Sequence, residues 1–258
     1  MSRIHLFELE DQKWFPTFLR NYGTDFLQFL SNKTGIYQPF IPLLVETLKK
    51  SETTQIIDLC SGGGGGLVGI NDDLTQQIPG LKIKLTDYYP NISAFEYLKN
   101  KSSTIEYESK SIDARFVPSE LKGVRTQFLS FHHFKPNDAS LILQNAVDSK
   151  SSIAIVEAQE RSLPSILAML FSPLSVLAVT PFIRPFKIGR IVFTYLIPIV
   201  PLFVMWDGVV SSLRTYSLEE MNDLVNNLEG KDTFEWNIGK IKSGPAKILY
   251  LIGTKKNQ

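Results

Sequence analysis

Residues 56–70 read IIDLCSGGGGGLVGI: an apolar run that reaches a carboxylate at Asp58 and then five consecutive glycines, Gly62 to Gly66. Glycine loses more backbone freedom on folding than any other residue, so five at one point imply a tight bend or a close approach. "QIIDLC" reads as a β-strand, and the residues after the glycines read as a helix. A glycine-rich turn between a strand and a helix lets the backbone approach a ligand at the helix N-terminus, which suits a nucleotide-like cofactor. Gly64, Gly66 and Gly69 also satisfy G-x-G-x-x-G, although a polyglycine run meets many patterns by accident.

Outward from this turn the chain alternates. "LKIKLTD", "TIEYESKSID", "RTQFLSF" and "SSIAIVEA" read as strands two to five, with helices from Asn91 and Asn137, each asparagine in an N-cap position. Such alternation points to a mostly parallel sheet covered on both faces. The end of the chain departs from it: "TFEWNIGKIK" and "AKILYLIGTKK" are separated only by "SGP", too short for a crossover helix, and so should pair antiparallel. Before the glycine turn, Trp14, Phe15, Phe18, Leu19, Tyr22, Phe26, Phe29 and Leu30 keep three-and-four spacing, which predicts an amphipathic helix over 14–31. A second helix is expected over 39–50.

About 70 residues separate strand five from the closing hairpin, far more than an ordinary α/β connection. Residues 164–183 carry no charge, and 191–206 add 16 more uncharged residues. By length each invites a transmembrane reading. Two spans would put Arg184, Lys187 and Arg190 on the far side, against the positive-inside tendency, and six prolines break any long helix here. A hydrophobic lid, a dimer contact or a peripheral membrane surface through 164–206 fits better.

The 258 residues form one domain by this reading: a helical cap over 1–52, a cofactor core over 53–158, an apolar lid over 159–230 and a hairpin over 231–258. A net charge of +1 without a basic block argues against nucleic acid as partner. One cysteine, Cys60, excludes an internal disulfide and a cysteine-built zinc site, and no metal is expected. The first residues lack a secretory apolar core, so the expected location is the cytoplasm, with the inner face of the membrane as an alternative if the insertion binds lipid. Oligomeric state is left open.

Three carboxylates fall at successive strand ends: Asp58, Asp87 in "KLTDYYPN" and Asp113 in "KSIDARFVP". Ligands of open α/β sheets bind at those ends, and a carboxylate after strand two can accept hydrogen bonds from vicinal ribose hydroxyls. "DLCSGGG" resembles motif I, D-x-x-x-G-x-G, of class I S-adenosylmethionine (SAM)-dependent methyltransferases, with Asp58, Gly62 and Gly64 in its acid and glycine positions. The family often has glycine where Cys60 stands. The stretches "WFPTFLRNYGTDFLQF", "TDYYPN", "RTQFLSFHHFKP", "TPFIRPF", "TYLIPIVPLFVMWDGVVSSLRTYS" and "YLIG" further resemble a bacterial group of class I methyltransferases of unassigned substrate, from about residue 14 to 253. The resemblance implies a Rossmann-like, seven-stranded, mostly parallel sheet with an antiparallel C-terminal hairpin, and SAM as cofactor. It puts Asp58 at the methionine end, with Gly62 and Gly64 giving it room, and Asp113 and Ala114 at the adenine; Cys60, Ser61 and Tyr88 are further expected cofactor contacts beside Asp87 at the ribose, and Phe131, at the end of strand four, should sit beside the methyl group. The hairpin also favours SAM over a nicotinamide, as does the position of the Tyr97–Lys101 pair before strand three.

Methyl transfer is an in-line displacement that needs alignment, dryness and, for some acceptors, a base. His132 and His133 follow strand four and are the candidate bases. Asp207, before a Ser217–Glu220 capping box, is a third catalytic candidate, grouped with Arg214 and Tyr216 at the foot of the lid. Arg115, Glu157, Trp14, Tyr22, Tyr37 and Tyr195 complete the expected acceptor pocket. No Asn/Asp-Pro-Pro-Tyr motif occurs, which disfavours nucleobase and peptide-amide acceptors. An apolar lid points to a small hydrophobic or lipid-like acceptor. The alternative is a non-catalytic SAM- or nucleotide-binding protein that docks a partner or membrane through the insertion.

Overall fold

The computed structural model describes residues 2–256. Strands β1 (Gln55–Leu59), β2 (Lys82–Leu85), β3 (Ile105–Tyr107), β4 (Val124–Phe128), β5 (Ile153–Glu157), β6 (Phe234–Ser243) and β7 (Ala246–Lys255) form one sheet in the order β3-β2-β1-β4-β5-β7-β6. The first five are parallel, while β7 runs antiparallel to both β5 and β6. This is the expected sheet. Side chains alternate across it: Ile56, Ala154 and Val156 enter one core, Ile57, Ile153 and Ile155 the other. The first core is closed by α2 (Ile41–Lys50), α3 (Asn71–Gln77) and α4 (Ile92–Lys101), the second by α5 (Pro136–Asp148) and α10 (Leu218–Asn226).

Helix α1 (Thr17–Thr34) packs on the insertion, which folds into α6 (Leu163–Leu170), α7 (Ser172–Val179), α8 (Ile188–Ile191) and α9 (Ile199–Arg214). Phe15, Leu19 and Phe26 meet Val176, Val200 and Phe203 in a third, smaller core. The contact is close enough that a Cβ on Gly23 would lie 2.6 Å from the Phe203 ring. Among the described residues no single helix is long and apolar enough to cross a membrane; two helix pairs pass on length and composition together but are bent by 44° and 79°.

Local differences from the sequence reading have local causes. Asn91 caps α4 as expected, its Oδ1 accepting the Ala94 amide. Asn137 does not cap α5, because Pro136 takes the first helical position and Lys135 becomes the cap residue. Strand three ends at Tyr107 and not at Asp113: the chain turns where Glu108 Oε1 accepts the Lys110 amide, leaving Asp113 in the following loop. Strand four stops at Phe128 because Leu129 adopts φ 50°, and Phe131–His133 form a separate 3-10 turn.

Candidate functional site

The glycine turn leaves β1 over a buried brace. The Asp58 carboxylate, 1% exposed, accepts the Thr126 hydroxyl at 2.6 Å and the Ser61 hydroxyl at 2.7 Å, and burial pushes its pKa up to about 7. Gly62, Gly64 and Gly65 have φ of 55°, 115° and 60°, a region costly for residues with a Cβ. Gly66 is required for a different reason: a Cβ there would lie 2.5 Å from the Tyr37 ring and 2.7 Å from Phe128. At Gly63 a Cβ would crowd the Thr24 carbonyl of α1 at 3.3 Å. The five glycines thus combine a left-handed backbone with a seat for α1 and Tyr37.

Above the turn, at the carboxyl ends of β1, β2 and β4, lies a cavity of about 450 Å³. Cys60, Ser61, Gly62, Asp87, Tyr88, Asp113 and Ala114 line it, with Arg20, Thr24 and Gln28 of α1 opposite. Burial raises the Cys60 thiol well above its ordinary range, so it stays protonated. Asp87 Oδ2 accepts the Gly62 amide at 2.8 Å and Oδ1 the Tyr89 amide at 2.7 Å, leaving each oxygen a second lone pair. Burial raises the Asp87 pKa, and these two amides oppose the rise. Asp113 is bonded by the Arg115 guanidinium at 2.7 Å, which holds its carboxyl below the usual range, and Arg115 also reaches Asp138 at 2.8 Å. Asn91 lines the cavity as well, and its Nδ2 has no hydrogen-bond partner among the described residues.

Two adjacent histidines occupy different environments. His132 is 1% exposed and lies outside the cavity lining; its Nδ1 is 2.8 Å from Glu157 Oε2, and desolvation lowers its pKa. His133 lines the cavity, with Nδ1 2.9 Å from Asp11 and 3.1 Å from Glu8, and Nε2 3.4 Å from Glu10. Desolvation disfavours its charge, but the surrounding carboxylates outweigh it and raise its pKa well above 6.5.

Those carboxylates sit on a strap, residues 3–13, that the sequence reading did not foresee. Asp207 accepts the Leu9 amide at 2.7 Å and the Glu10 amide at 3.0 Å, and burial pushes its pKa up to about 7. Arg214 donates to the Leu6 carbonyl at 2.8 Å and to Asp11 at 2.6 Å. Tyr216 donates to the Phe134 carbonyl at 2.7 Å, and the Arg3 guanidinium stacks on its ring at 4.0 Å. Asp207, Arg214 and Tyr216 therefore hold the strap and the turn after β4, and none of the three lines the cavity. Glu10, Asp11 and Arg20 do line it. Their sequence signal is the acidic run Glu8, Glu10, Asp11 just before an aromatic helix.

Of the other expected residues, Tyr37 and Arg115 line the cavity, while Gly64 and Phe131 lie behind it, Phe131 fully buried against Tyr216. Glu157 is spent on His132. Trp14 is 69% exposed, Tyr22 packs against Phe18, and the exposed Tyr195 donates its hydroxyl to the Leu177 carbonyl. Glu8, His132 and His133 bring donor atoms within 4.8 Å of one another, a spacing a metal could bridge. Arg214 Nη1 already stands 3.0 Å from Glu8 Oε1, so protein cations answer this cluster's charge.

No family model matches the sequence, and no curated protein matches it at sequence level. Solved structures do match in fold. An O-methyltransferase family protein from Burkholderia thailandensis aligns with a TM-score of 0.50 at 15% identity, over 88% of this chain and 58% of that one. Human N-acetylserotonin methyltransferase, solved in complex with SAM, gives 0.50 at 13% identity, over 90% and 56%. The methyltransferase domain of bacterial CtHen1 gives 0.52 at 12% identity, over 85% and 99%. The chain spans little more than half the length of the first two. Its fold is that of the class I SAM-dependent methyltransferases.

Proposed function

We propose that this protein transfers a methyl group from SAM to a small, hydrophobic or lipid-like acceptor. The observation that carries the reading is the Asp87 carboxylate: it lines the cavity beside the glycine turn, is fixed by two backbone amides, and keeps two lone pairs that can accept from vicinal hydroxyls. The residues present fit an adenosyl group on a second count, since Asn91 offers an unspent amide donor in the same cavity. Asp87 and Tyr88 would hold the ribose, Asp113 and Ala114 the adenine, and Cys60, Ser61 and Gly62 the methionine end. Asp58 and Gly64 shape the turn from behind, and Phe131 supports the wall through Tyr216. When bound, SAM supplies an electrophilic methyl group on a sulfonium.

The chain's own contribution is alignment, exclusion of water and proton removal. Tyr37, Leu27, Phe128 and Phe134 give the cavity apolar walls. His133, the only one of the paired histidines that reaches the cavity, is our candidate base, receiving the acceptor's proton at Nε2 while Asp11 fixes Nδ1. It works only after shedding the proton that its acidic neighbours favour, so activity should climb with pH. Titration of the protein with SAM and S-adenosylhomocysteine by calorimetry tests the cofactor assignment; absence of binding by either overturns it. A labelled-methyl screen of apolar phenols, quinols and lipids then tests the acceptor class.

A further inference from the structure

The insertion leaves an unusual amount of apolar surface uncovered. Leu163, Phe171, Leu174, Phe182, Ile188 and Leu196 are between 62% and 78% exposed. Helix α6 has no buried residue and α7 has two, so these helices contribute little to the core they rest on. A soluble surface rarely carries apolar patches above a few hundred Å² unless something covers them.

Charge identifies the occupant. Between Arg161 and Trp206 there is no Asp or Glu, while Arg184, Lys187 and Arg190 lie within the segment. Lys187 and Arg190 are both spent on Asp25. Among the described residues the exposed Arg184 donates only to the carbonyls of Pro181 and Ile183, so its charge has no counter-ion there. A second copy of this segment would bring the same acid-free surface and no carboxylate. An anionic lipid headgroup region above an acyl interior supplies both complements.

Depth is limited by the fold. Helix α9, at 16 residues, is about 24 Å long, short of the roughly 30 Å hydrocarbon core. Its Phe203, Val204 and Val210 are already buried in protein. Trp14, 69% exposed, and Trp206, whose indole N–H is satisfied by the Phe7 carbonyl at 3.1 Å, are rings of the kind that settle at a membrane interface.

We propose that the 163–206 face, with the adjoining aromatics of residues 7–18, seats the protein on one leaflet of an anionic bilayer without crossing it. Helix α1 touches both the seat and the cavity. Phe18 of α1 meets Phe193 of the insertion with ring centroids 5.2 Å apart, and on the same helix Leu27, 37% exposed, lines the cavity. An apolar acceptor dissolved in the leaflet would then reach the cavity along α1, an extension that rests on the methyl-transfer reading.

The test is flotation of the full chain with phosphatidylcholine vesicles, with and without phosphatidylglycerol. Binding is expected to the anionic vesicles and to weaken in roughly 1 M salt, where the screening length falls to about 3 Å. The double variant Leu174→Asp/Leu196→Asp should reduce vesicle partitioning at least about tenfold while its melting temperature and SAM titration stay at wild-type values. Failure to float with either vesicle, or wild-type flotation by the variant, overturns the proposal. A stable dimer by light scattering that the double variant converts to monomer assigns the face to a second copy and overturns it equally. Loss of SAM binding alone would sink the methyl-transfer reading and leave flotation intact.

Discussion

Replacing Asp87 by alanine removes the one carboxylate whose geometry carries the cofactor assignment. Its two oxygens are pinned by the Gly62 amide at 2.8 Å and the Tyr89 amide at 2.7 Å, so a ligand's hydroxyls would meet a preset acceptor pair. A hydrogen bond to a charged group contributes about 1.5–3 kcal/mol, so losing two costs about 3–6 kcal/mol of binding. At 1.4 kcal/mol per decade this weakens SAM by about 10² to 10⁴. The freed amides border the cavity and can turn to water, so the fold itself should lose little. Asp87→Asn separates the two effects: it keeps one acceptor oxygen but turns a donor toward the other amide, and should bind with intermediate affinity. The assay is calorimetric titration with SAM, beside thermal melts of the unliganded proteins. A folded Asp87→Ala protein that binds SAM within about threefold of wild type would refute the reasoning.

Three further outcomes follow from the geometry. His133 has a folded-state pKa raised well above 6.5, so the stability it contributes is complete below about pH 6.5 and lost as pH rises through the folded value; kcat/KM should climb over the same interval, and His133→Asn should flatten both profiles. Gly23→Ala sets a Cβ 2.6 Å from the Phe203 ring and should cost about 1–3 kcal/mol, a fall in Tm of about 2–4 °C per kcal/mol by differential scanning. Arg214→Ala leaves Glu8 and Asp11 without their guanidinium and should destabilise by about 3–5 kcal/mol, with limited proteolysis cutting first within residues 3–13.

The sheet and the glycine-turn side of the cavity were legible because their signals are local. Asp58 lies near the end of β1, Asp87 just after β2 and Asn91 at the start of α4, and the three-residue "SGP" link forces the antiparallel hairpin. The closing wall was not legible. Leu9 and Asp207 are 198 residues apart, and the strap has no period by which its partners could be read. Nor does sequence separate His132 from His133: consecutive positions in a 3-10 turn send one ring to Glu157 and the other to the cavity. Asp207, Arg214 and Tyr216 were expected at the foot of a lid over the opening; instead Asp207 and Arg214 grip the strap, and Tyr216 holds the turn after β4. Gly63 and Gly66 could not be explained from the motif, since their reasons are Thr24 and Tyr37, side chains of elements brought there by packing.

The strap also fixes an order of events during synthesis. Residues 3–11 leave the ribosome some 200 residues before Asp207 and Arg214, so the acids around His133 wait without their partners until α9 has been made. The parallel strands β1 to β5, complete by Glu157, can assemble in that interval. The cavity therefore gains its last wall, and the histidine its proton-holding surroundings, only after α9 has been made. In pulse-labelled refolding the Leu9 and Glu10 amides, whose partner is 198 residues away, should gain protection after those of β1, β2 and β4.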